Sequence, residues 1–106
     1  MTDAERDDWI AEQAAAVIID HNRLRGKELG PLPEREVEAL PRYIEEGLVM
    51  LEAEGGVDPL EVGIGHAVGF VRVYARSRAG VLSARKQDLF RSRWLRSISR
   101  LAEVAA

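Results

Sequence analysis

The sequence predicts an all-α fold, a single compact bundle of about four helices, and three observations lead there. Apolar residues recur at helical spacing in four successive stretches. Capping or breaking residues bound each stretch, and outside residues 62–82 nothing alternates as a strand would. The longest low-charge segment, residues 58–80, is apolar nearly all round a helical projection, which places it centrally, covered by its neighbours. At 106 residues the chain is one domain, long enough to bury a single core.

The first helix is expected over about residues 3–25. Thr2-Asp3-Ala4-Glu5 is a capping box, and Gly26 is a terminator. Asp3, Glu5, Asp7 and Asp8 lie at its start and Arg23 and Arg25 at its end, as the helix dipole favours. Its inward face is Ile10, Ala14, Val17, Ile18, His21 and Leu24, flanked by Ala11. His21 on that face reads as a core histidine with one hydrogen-bond partner rather than as a ligand.

Residues 26–33 form the one extended loop, and Pro33 can open the second helix, about 33–54. Val37, Leu40, Ile44, Leu48 and Leu51 keep one face in phase across Pro41. That phase favours a helix kinked near Pro41 over two separate pieces. Gly55-Gly56 ends it.

The central helix, about 59–79, starts at Asp58-Pro59-Leu60-Glu61, where aspartate caps and proline suits the first position. Leu60, Ile64, Ala67, Val68, Val71 and Ala75 share one face; Phe70 and Tyr74 widen it, and Val62, His66 and Val73 lie on the far side. Gly63, Gly65 and Gly69 each cost about 1 kcal/mol relative to alanine, so something must offset them. Gly65 and Gly69, four apart, form a notch for close backbone approach, either at an intramolecular helix crossing or at a homodimer seam. Residues 62–74 also alternate with period two, which admits a hairpin into Val81-Leu82. A lone hairpin is marginal in water, so helix is the reading carried forward. Gly80 suits the terminator.

Ser83 caps a last helix, about 84–104, whose apolar arc holds Phe90, Trp94, Ile98 and Leu101. Opposite it, Arg85, Lys86, Arg93, Arg96 and Arg100 make a basic stripe, interrupted by Leu89 and with Arg91 bordering the apolar arc. Phe90 and Trp94 are expected to be largely buried.

Charge is divided along the chain. Residues 1–71 hold 16 acidic and 6 basic side chains, and residues 72–106 hold 2 and 9, within a net charge of −3. The stripe therefore has four uses: neutralisation by the acidic helices of its own chain, an acidic protein partner, nucleic acid, or an anionic membrane surface. The acidic pI of about 5.4 argues against a dedicated nucleic-acid domain.

Catalysis has little support. The chain has no cysteine, no nucleophile-elbow, phosphate-loop or HExxH motif, and no inward Glu-x-x-His pair for a di-metal site. No cofactor or metal is expected. Cysteine-free composition and an N-terminus without a leader pattern make the cytoplasm the expected location, and no segment reads as a membrane span. The functional expectation is a small non-enzymatic protein-interaction module (an adaptor, regulator or inhibitor) acting through charged helical faces and able to form a homodimer. The alternative is nucleic-acid binding through the stripe.

Overall fold

The computed structural model describes residues 2–24, 31–55, 58, 64–81, 85, 88–89, 91–93, 95–96 and 99–100. The fold is an all-α bundle of about four helices. Helix α1 runs Asp3–Leu24, α2 Glu34–Gly55 and α3 Ile64–Arg78. The C-terminal described residues 85, 88–89, 91–93, 95–96 and 99–100 are also helical. Among the described residues there is no strand, so the hairpin reading of 62–82 is set aside: residues 64–78 form one helix. With no further strands to pair with, alternation there gave way to helical burial.

Local chemistry explains the ends. The Thr2 hydroxyl accepts from the Glu5 amide at 3.2 Å, and the Glu5 carboxylate accepts from the Thr2 amide at 3.5 Å, a reciprocal capping box. At the start of α2 the Pro33 carbonyl accepts from the Glu36 and Val37 amides. Helix α3 closes in a Schellman motif. Val81 N–H donates to the Arg76 carbonyl at 2.9 Å and Gly80 N–H to Ser77 at 3.0 Å, with Gly80 at φ 80°. Only a residue without a Cβ adopts that conformation freely.

Pro41 lies inside α2 without ending it, and the helix is unbroken. Proline offers no N–H to the Val37 carbonyl one turn back. Pro41 is exposed, while Leu40 and Ile44 on either side of it are fully buried, so burial carries the helix through the missing bond.

The three helices share one core. Helix α1 contributes Trp9, Ile10, Ala14 and Val17; α2 contributes Leu40, Tyr43, Ile44, Leu48 and Leu51; α3 contributes Ala67, Phe70, Val71 and Ala75. Each large side chain fully buried there is worth about 1.5–3 kcal/mol. Val37, Ile18, Val68 and Tyr74 are half-buried at the margin. Val73, on the side of α3 turned from this cluster, is also buried, as expected of a helix covered on several sides.

Helices α2 and α3 run antiparallel, with Glu46 paired to Tyr74 and Arg78, and Gly47 stands in their seam. A Cβ there would lie 3.2 Å from Tyr74 Cδ1 and 3.4 Å from the Val71 Cα. A side chain at position 47 would press on the α3 backbone and the Tyr74 ring there.

The expected helix start at Pro59-Leu60-Glu61, Gly63, the Ser83 cap, and the burial of Phe90 and Trp94 fall outside the described residues. Among the described residues no helix is long and apolar enough to cross a membrane.

Candidate docking surface

Four members of the basic stripe are described: Arg85, Arg93, Arg96 and Arg100 are all exposed, and Lys86 lies outside the described residues. Asp88, Leu89, Ser92, Leu95 and Ser99 are exposed as well, whereas Arg91 is half-buried. On helical geometry the exposed residues share one side, and Arg91 falls beyond its edge. Arg91 Nε lies 3.6 Å from Glu54 Oε1 near the end of α2. That pair lies beyond the edge of the side that carries the described stripe residues.

Other arginines of the basic half also turn inward. On α3, Arg72 Nε donates to Gln13 Oε1 at 2.8 Å, with its Nη1 4.0 Å from Asp20 Oδ2, so the contact ties α3 to α1. Arg78 Nε donates to Glu46 Oε2 at 3.2 Å, tying α3 to α2. Within the acidic half, Arg6 Nη1 donates to Glu52 Oε1 at 2.6 Å. These pairs are partly exposed, each worth about 0–1 kcal/mol, and they act more on helix orientation than on stability. Gln13, almost fully buried, was not foreseen on the core face; its place one turn from Trp9 was the available signal. Arg76 is the exception among these cations: its Nε and Nη2 are buried with no hydrogen-bond partner among the described residues.

A second feature lies along the α2–α3 seam. Arg42, Glu45, Glu46, Val49, Met50 and Tyr74 line an open groove of about 450 Å³. The Tyr74 hydroxyl donates to Glu46 Oε2 at 3.1 Å, sharing that oxygen with Arg78. Tyr74 stacks on Phe70 with ring centroids 6.0 Å apart. Burial, then the hydrogen bond to Glu46 and the negative charge of that carboxylate, raise the Tyr74 pKa above its usual 10, against a lowering by Arg78. The Arg42 and Arg78 guanidiniums lie 5.4 and 5.1 Å from the Tyr43 ring centroid, and the Tyr43 hydroxyl donates to Glu36. The groove brings apolar Val49 and Met50 together with the charged side chains of Arg42, Glu45 and Glu46.

Gly65 is exposed, with nothing within 4 Å of where a Cβ would be, and Gly69 is half-buried. Among the described residues, none comes within 4 Å of a Cβ added at Gly65. His21 is fully buried in α1. Among the described residues no group of three His, Cys, Asp or Glu side chains is arranged to hold a metal ion.

The fold and this surface define a class, an all-α bundle carrying an outward basic stripe. Comparisons with protein-family models, curated proteins and solved structures find no match.

Proposed function

We propose that the chain is a small non-enzymatic protein-interaction module that docks an acidic protein surface through Arg85, Lys86, Arg93, Arg96 and Arg100. One observation carries the reading. The arginines that bridge the halves, Arg72, Arg78 and Arg91, lie off the stripe, while its four described members are exposed. Guanidinium groups in a row suit bidentate pairing with carboxylates.

Leu89, 48% exposed in the middle of the stripe, favours a protein surface over a phosphate backbone. A leucine ringed by arginines gains little against phosphates but can bury against a partner's apolar residue.

Fluorescence anisotropy tests this with a labelled poly-glutamate peptide and a mixed-sequence single-stranded DNA, at low and physiological salt. The peptide should bind, and the double variant Arg93→Glu, Arg96→Glu should lose it. DNA binding that weakens steeply with salt and disappears in that variant would replace this reading with the nucleic-acid one.

A further inference from the structure

Two exposed faces of the molecule carry matching seams. On the outer side of α1, Asp8, Glu12, Ala15 and Ile19 follow one another at spacings of four, three and four, and all are exposed. In the C-terminal segment Leu89, Arg93, Arg96 and Arg100 follow at four, three and four, and all are exposed. Alternating threes and fours give the spacing at which two helices pack side by side in a left-handed pair. Neither seam is covered by the other within one chain, because both face solvent.

We infer that the acidic partner of the stripe is the outer face of α1 in a second copy of this chain, so that two copies associate about a two-fold axis. This rests on the stripe being a protein-docking surface and names what it docks. Only the antiparallel register satisfies both seams. Ile19 then meets Leu89, Ala15 meets Arg93, Glu12 meets Arg96, and Asp8 meets Arg100.

The chemistry agrees at each step. Ile19 and Leu89 are 52% and 48% exposed, two of the most exposed large apolar side chains among the described residues, and they pair with each other. Two carboxylates meet two guanidiniums, and alanine sits where an arginine stem must pass. The paired stretch from position 8 to 19 is about 16 Å long. By two-fold symmetry each copy supplies one acidic and one basic seam, so the contact is made twice. The division of charge between the two ends of the chain becomes the code for self-pairing.

Sedimentation velocity from about 1 μM to about 1 mM, at low and physiological salt, tests this. The expected result is a monomer–dimer equilibrium that weakens with salt. The variant Asp8→Arg, Glu12→Arg and the variant Arg96→Glu, Arg100→Glu should each be monomeric, with dissociation constants raised at least about tenfold. Mixed in equal amounts, the two variants should dimerise again, because both contacts in the mixed pair are complementary. Recovery on mixing excludes misfolding as the cause of the losses. A wild-type chain monomeric across the range, or variants that dimerise like wild type, would overturn self-pairing. Poly-glutamate binding by the stripe would then still stand or fall by itself, so the two readings fail separately.

Discussion

Adding one methyl group to two glycines of the same fold should move stability in opposite directions. In Gly65→Ala the new Cβ enters open space, and the change removes backbone freedom from the unfolded chain. Gly65 lies in the first turn of α3, so the gain is at the low end, about 0.5 kcal/mol. Gly47→Ala brings a similar helical gain, but its Cβ would lie 3.2 Å from Tyr74 Cδ1 and 3.4 Å from the Val71 Cα. Comfortable carbon contacts lie at about 3.5–4.0 Å, so the seam must open by a few tenths of an ångström. The Tyr74 ring cannot swing away cheaply, being stacked on Phe70 and hydrogen-bonded to Glu46, and the Val71 contact is backbone. Overpacking of this kind costs about 1–3 kcal/mol, leaving a net loss of about 1 kcal/mol or more. At about 4–8 °C per kcal/mol for a domain near this size, the melting temperatures should separate by about 6–12 °C. Thermal and urea unfolding followed by circular dichroism at 222 nm measure this. A Gly47→Ala chain stabilised as much as Gly65→Ala would refute the close crossing. A Gly65→Ala chain that lost stability only at high protein concentration would show a second backbone at that notch.

Two further expectations follow from the same geometry. Pro41→Ala restores an N–H for the Val37 carbonyl at an exposed position and should stabilise by at least about 1 kcal/mol, read as a higher urea midpoint; an unchanged midpoint would mean that no helical bond is missing there. Alkaline titration followed by tyrosinate absorbance should show a component above pH 10 that Tyr74→Phe removes. Because the folded pKa is raised, the associated stability is complete below pH 10 and is lost as pH rises through the folded value. A Tyr74 that ionises at or below 10 would contradict its burial against Glu46.

The helical class and the core faces were legible because burial imposes the period that the apolar residues display. Leu40, Ile44, Leu48 and Leu51 could be named from spacing alone, and all four are fully buried. Gly80 was legible as a terminator because its role is local. What depends on two helices meeting was not. Gly47 carries no mark of its own beyond standing on the apolar face of α2, and only the approach of Val71 and Tyr74 leaves little room for a side chain there. Gly65 showed the opposite difficulty, since a small-residue pattern has a mechanism only when a backbone lies opposite. At the candidate site the stripe was readable from spacing, but which arginines turn inward was not. Arg91 could be read only as a residue bordering the apolar arc; its pairing with Glu54 depends on where α2 ends.

The distribution of the inward-turned arginines also bears on how the chain is made. Synthesis proceeds from the N-terminus, so residues 1–71, with 16 acidic and 6 basic side chains, emerge from the ribosome before Arg72, Arg78 or Arg91 does. Until then α1 and α2 have the Arg6–Glu52 pair between them and a surplus of like charge that resists compaction. Arg72 reaches back to Gln13 on α1 and Arg78 to Glu46 on α2, so the second half of α3 delivers the counter-charges as it emerges.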